Sequence, residues 1–251
     1  TGKQFVFIMD EWDSMFHNKL FSKDDQAKFL QFLRLLLKSK GYVELAYMTG
    51  ILPIAKYSSG SELNMFVEYN MATSIKYSEY FGFTEEETAE LYERYVSLEE
   101  TPHFDFESLR EWYNGYQTAN GDRIFNPRAV ICALSSNQIQ SYWTGSGPYD
   151  EIFYYIKNNI AEVREDLVRM VAGEAISVRI QNYAAVSMDL ETKDEIFSAM
   201  VVYGFLSYYD GRVSIPNREL MQKFEDVLTN KNMGYISKLA LESDRMLAAT
   251  L

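Results

Sequence analysis

The chain holds 251 residues, of which 47% are hydrophobic, 15% aromatic and 24% charged, with a formal net charge of -12. That composition belongs to a folded protein with a sizeable core, in one large domain or two small ones, and excludes a disordered segment. The acidic balance argues against nonspecific nucleic-acid binding as the main activity, because phosphate contacts need clustered Lys and Arg. It leaves room for a local basic site or a Mg²⁺-bridged anion.

The first element is an unbroken apolar run, Phe5 to Met9, followed by three acids within four positions, Asp10, Glu11 and Asp13. This reads as a buried strand entered almost at once after Thr1, so the chain is expected to be a piece of a longer protein. Next, "SKDDQAKFLQFLRLLLKSKG" predicts a helix capped by Ser22, with Asp24 and Asp25 in its first turn and Gly41 beyond its end. Its apolar face is expected at Phe29, Phe32, Leu33, Leu36 and Leu37. "YVELAYMTG" reads as a second strand ending at Thr49 and Gly50, which makes a βαβ unit and a parallel sheet. A third short strand is expected at "NMFVEYN".

Helices follow. "FTEEETAELYERYV" carries a capping box, Thr84 with Glu87, and "DFESLREWYNGY" is a short helix stopped by Asn114 and Gly115. "NPRAVICAL" starts with Asn126 as cap and Pro127 at the first helical position. Further helices are expected at "DEIFYYIKNN" and "EVREDLVRMV". The stretch from Lys193 to Leu228 reads as helix, hairpin with an Asp210-Gly211 turn, and helix, suggesting a small winged-helix-like module.

The single Cys132 excludes an internal disulfide, and two histidines, His17 and His103, cannot assemble a zinc cluster. A reducing, cytoplasmic setting fits. Apolar runs such as "FSAMVVYGFL" fall short of the roughly 20 residues that span a membrane, and no signal segment opens the chain.

In an open parallel sheet, ligands bind outside the carboxyl ends of the strands, where Asp10 and Glu11 sit. An apolar run followed by Asp-Glu has the form of a Walker B element, in which the first acid holds Mg²⁺ and the second polarises the attacking water. One carboxylate suffices to place Mg²⁺, a hard cation that keeps several waters. The structural alternative is a strand end whose acids, Asp10 or Asp13, cap a helix at "WDSMF". Thr49 ends the neighbouring strand, where many P-loop ATPases carry a polar residue that senses the γ-phosphate; the alternative is a plain strand-to-turn exit. The phosphate cradle G-x-x-x-x-G-K-[ST] is missing. Gly2-Lys3 lacks the upstream glycine and precedes a strand, so the cradle is expected upstream of Thr1.

"FVFIMDEWDSMF", "YMTGILPI", "YSEYFGFTEEE", "REWYNGY", "IFNP", "YWTGSG" and "SIPNRE" resemble, in that order, the AAA-ATPase-like family of bacteria. The matches run across nearly the whole chain. The resemblance implies an α/β fold: a partial P-loop NTPase core over residues 1–80, a helical lid-like region over 81–180 and a winged-helix-like module over 181–251. A PD-(D/E)XK nuclease-like domain often follows in the family. The resemblance further implies ATP and Mg²⁺ as cofactors, Asp10 as the metal-binding acid, Glu11 as the catalytic acid and Thr49 as the γ-phosphate sensor. Trp12 stands where the family more often has Tyr. Arg128 follows "FNP" where an aromatic residue is usual, and it is not assigned as an arginine finger.

Two function classes follow. One is ATP binding and Mg²⁺-dependent hydrolysis in the intact protein, with this piece inactive by itself. The other is a degenerate ATPase scaffold that recognises a protein partner, a second copy of itself, or DNA. DNA is disfavoured by the acidic charge, although Arg212, Arg218 and Lys223 offer a small basic patch.

Overall fold

The apolar run Phe5–Met9 forms β1 and Val43–Met48 forms β2, paired in parallel from Phe5 opposite Val43 to Met9 opposite Met48. The structure, a computed structural model, describes residues 2–17, 20–53, 63–143, 161–180 and 192–229. Parallel strands need a crossover. It is supplied by α2 (Lys23–Leu37), which follows a single turn, α1 (Ser14–His17). Ser22 starts α2 with a reciprocal capping box: the Asp25 N–H donates to the Ser22 hydroxyl, and the Ser22 N–H donates to the Asp25 carboxylate. The Ser22 hydroxyl also donates to that carboxylate, and the two donations from Ser22, hydroxyl first and N–H second, hold the Asp25 carboxyl below its usual range.

The buried stripe of α2 is Leu30, Leu33 and Leu37. Leu30 and Leu33 pack with Trp12 and Leu63, flanked by Met9, Phe16, Phe29 and Met48. Phe32, expected on this face, is 54% exposed, because the spacing 30, 33, 37 turns position 32 away. The expected third strand does not form: residues 64–70 are irregular. Met65 and Phe66, adjacent in sequence, both turn to the Trp12 core, which breaks the alternation a strand requires.

The other face of the strand pair is bare among the described residues. Val6 sits opposite Leu45 and Ile8 opposite Tyr47, and all four are more than half exposed. Parallel sheets are ordinarily covered on both faces.

The chain forms two compact units, Thr1–Glu68 and Tyr69–Leu251, where the sequence suggested three parts divided at 80 and 180. The second unit has α3 (Glu85–Leu98), capped by Thr84 with Glu87, and α4 (Phe106–Tyr113), capped by Asp105. The chain then passes straight into β3 (Asn114–Gln117), which pairs antiparallel with β4 (Arg123–Phe125), a hairpin the sequence reading missed. Asn126 caps α5 (Pro127–Ser136). Next come α6 (Ala161–Val171), β5 (Ile176–Ser177), α7 (Lys193–Val202), β6 (Ser207–Tyr209), β7 (Arg212–Ser214) and α8 (Arg218–Thr229). The helix expected around residues 150–159 lies outside the described residues.

Tyr116 and Ile124 of the β3–β4 hairpin are buried with Leu167, Phe197, Met200, Phe205 and Phe224 in one core. Strands β5, β7 and β6 make an antiparallel sheet with β7 central. Asp210 and Gly211 both have positive φ, 48° and 75°, as a two-residue type I′ hairpin turn demands. All residues from Ile196 to Val201 on α7 are buried, so this stretch of the helix is a core element on every side. Among the described residues no helix is long and apolar enough to cross a membrane.

Candidate functional site at the strand ends

Pairing continues past β1 and β2. The Thr49 N–H donates to Met9 O (2.9 Å) and the Trp12 N–H donates to Thr49 O (3.0 Å), so the segment after β1 is stitched to the exit of β2. This brings two of the sequence-predicted site residues together. The Thr49 hydroxyl donates to Asp10 Oδ1 in a short hydrogen bond, and the Glu11 N–H donates to the same oxygen at 3.1 Å. Asp10 Oδ2 has no partner among the described residues, and Asp10 is exposed. Glu11 is also exposed, with φ +50°. A non-glycine residue in the left-handed region is uncommon, and such outliers cluster at functional sites.

The third acid has a different role. Asp13 is 2% exposed. Its Oδ2 accepts the N–H groups of Ile51 (2.8 Å) and Leu52 (2.6 Å). It thereby fixes the turn after Thr49. Gly50 is required there, since a Cβ would lie 2.6 Å from the Trp12 ring and 2.8 Å from Asp13 Oδ1. The Thr-Gly at the end of β2 is thus a close-packing point beside the acids, made by "DEWD" and "TG" together. Asp13→Ala removes two charge-assisted bonds and strands two amides. The expected cost is about 2–3 kcal/mol, read as lost hydrogen-exchange protection at Ile51 and Leu52. Unchanged protection would remove Asp13 from this role.

Among the described residues, no group of three or more His, Cys, Asp or Glu side chains is placed to hold a metal ion. A Mg²⁺ site needs no such group, because this cation keeps its waters and takes one or two protein oxygens plus substrate phosphates. The open Asp10 Oδ2 beside the Thr49 hydroxyl fits that requirement.

In the second unit, the motifs without an assigned chemistry meet one another. Gly115 of "WYNGY" has φ +124°, and its backbone lies against Pro216 of "SIPNRE". Arg218 pairs with Glu111 and lies over the Trp112 ring. Tyr113, fully buried, donates its hydroxyl to Gln140 O (2.8 Å), and burial pushes that hydroxyl well above the usual phenol range. Glu219, 2% exposed, accepts at Oε1 from the Ser141 hydroxyl (3.1 Å) and the N–H groups of Tyr142 (2.7 Å) and Trp143 (2.6 Å). The Asn126 N–H of "FNP" donates to Tyr113 O, and its side chain caps α5. These residues make a structural joint. Arg128 is exposed on the first turn of α5.

A protein of Azotobacter chroococcum mcd 1, described as "Uncharacterized protein in vnfD 5'region", is 25% identical to this chain over 150 residues. The aligned part covers 58% of this chain and 28% of that protein, so the chain spans well under half of the relative's length. No family model and no solved structure matches the chain.

Proposed function

We propose that this chain is the acid-bearing part of a P-loop ATPase, in which Asp10 binds Mg²⁺, Glu11 is the general base and Thr49 senses the γ-phosphate. One observation carries the reading: Asp10 and Thr49, 39 positions apart, are hydrogen-bonded at the carboxyl ends of two parallel strands, with Glu11 beside them. That is where ligands of open parallel sheets bind. Bound Mg²⁺ supplies charge neutralisation on the phosphate oxygens. The chain's own groups divide the rest. Asp10 Oδ2 offers an acceptor for a metal-bound water, while the Thr49 donor keeps the carboxylate oriented. The Glu11 carboxylate has no hydrogen-bond partner among the described residues, which leaves it free to accept a proton from an attacking water. The lone cysteine suits a reducing, cytoplasmic setting.

The sequence contains no G-x-x-x-x-G-K-[ST], so the reading assigns the phosphate cradle to another part of a longer protein. The cradle's charge-assisted hydrogen bonds are worth roughly 1.5–3 kcal/mol each, and lacking three weakens ATP binding at least about a thousandfold. Residues 1–251 alone are expected to show no measurable ATP hydrolysis and at best weak Mg-nucleotide binding. Calorimetry with Mg-ATP checks this, and tight binding would overturn the assignment of the cradle elsewhere.

A scaffold reading is favoured by the exposed apolar face of Val6, Ile8, Leu45 and Tyr47, which suits protein recognition. DNA reading by the C-terminal part has less support. The order α6, β5, α7, β6, β7, α8 with β7 central suits a winged-helix-like module. Yet α7 is buried from Ile196 to Val201, which leaves little beyond its first turn to enter a groove. Arg218, part of the basic patch read from the sequence, is engaged by Glu111.

A further inference from the structure

A cleft of about 440 Å³ opens in the second unit where β5 and β7 meet the end of α6 and the start of α7. Its walls include three cations, Arg169, Lys193 and Arg212, and one carboxylate, Glu174. In a chain of net charge -12 this concentration of positive charge calls for a reason.

Two of the cations are held in place from behind. Asp166, whose side chain is 6% exposed, forms ion pairs with both Arg169 (3.0 Å) and Lys193. Arg169 is further fixed by Glu174, which accepts from its Nε at 2.8 Å and from a terminal nitrogen. These contacts restrict the two side chains without using all their N–H groups, since a guanidinium has five and an ammonium three. Arg212 is different. It stands on β7 opposite Ser177 of β5, is exposed, and has no ion-pair partner among the described residues.

We propose that this cleft binds a phosphate group, with Arg212 as the main contact and Lys193 and Arg169 as prepositioned donors. A phosphate suits it better than a carboxylate. The open guanidinium fork of Arg212, the N–H groups left on Arg169 and an ammonium offer more donors than a carboxylate's two oxygens readily accept, and the lined wall carries more positive than negative charge. The Ser177 hydroxyl adds a neutral donor at the same wall. The assignment is independent of the strand-end site and stands or falls without it.

The test is a titration of the whole chain with inorganic phosphate, with chloride at matched ionic strength as reference, followed at the backbone amides of Ser177, Arg212 and Val213. Saturable shifts with phosphate and none with chloride are expected. Arg212→Ala, at an exposed position, should weaken binding about tenfold to a hundredfold while leaving the spectrum of a folded chain. Non-saturable shifts, or an affinity unchanged in Arg212→Ala, would overturn the proposal. A parallel titration with a short DNA duplex separates the two sources of phosphate. Competition between duplex and inorganic phosphate for these amides assigns a nucleic-acid backbone, and response to inorganic phosphate alone assigns a small phosphorylated molecule.

Discussion

On the proposed ATPase reading, Glu11→Gln in a longer form of this protein is expected to lower kcat by about 10²–10⁴ while ATP still binds, the usual worth of a positioned general base. The range corresponds to roughly 3–5.5 kcal/mol of transition-state stabilisation at 1.36 kcal/mol per tenfold. The glutamine keeps size and hydrogen bonding but cannot accept the proton of an attacking water. The backbone supplies an internal control. Glu11 has φ +50°, a conformation that costs an L residue roughly 1–2 kcal/mol and glycine almost nothing. Glu11→Gly should therefore lose the same rate with little change in Tm. A structural Glu11 would give the reverse, a lower Tm with turnover intact. Single-turnover hydrolysis and thermal unfolding on both variants decide between them, and full turnover in Glu11→Gln would remove Glu11 from the chemistry.

Local signals carried the sequence reading a long way at element ends. The capping residues Ser22, Thr84 and Asn126 are used as caps, because cap chemistry depends on three or four consecutive residues. The Asp210-Gly211 turn was legible for the same reason. Asp10 and Thr49 could be put at the ends of two strands by the apolar runs before them. That they touch depends on register, which no local pattern states. Asp13 was harder still. An acid four residues beyond a strand looks like a cap, and the N–H groups of Ile51 and Leu52 that its Oδ2 also holds lie 38 and 39 positions away. The strand expected at residues 64–70 failed because propensity is a weak guide once packing turns adjacent residues inward. The two-unit division was not legible, since the burial of Tyr116 and Ile124 with helices far along the chain, α6 to α8, leaves no compositional trace.

The joint around Gly115 gives the largest expected effect on stability. A Cβ at this position would lie 1.8 Å from Pro216 O and 2.8 Å from Pro216 C. Backbone cannot move aside as the end of a flexible side chain can, so β3 and the segment before α8 would have to separate. That separation would disturb Arg218 over Trp112 and the Glu219 carboxylate that holds residues 141–143. Gly115→Ala is expected to cost roughly 4 kcal/mol or more, in the range reserved for steric conflict in a packed interior. At about 2–4 °C per kcal/mol for a unit of this size, Tm should fall by roughly 10 °C. Part of that loss comes from the backbone alone, because φ +124° is a conformation that L side chains rarely adopt. Gly173 isolates this part: its φ is +90° and a Cβ there would meet nothing within 4 Å. Gly173→Ala should therefore cost only about 1–2 kcal/mol. The excess in Gly115→Ala over Gly173→Ala measures the contact with Pro216. Equal losses in the two variants would mean that "WYNGY" keeps its glycine for the turn alone, and that its meeting with "SIPNRE" contributes little to the fold.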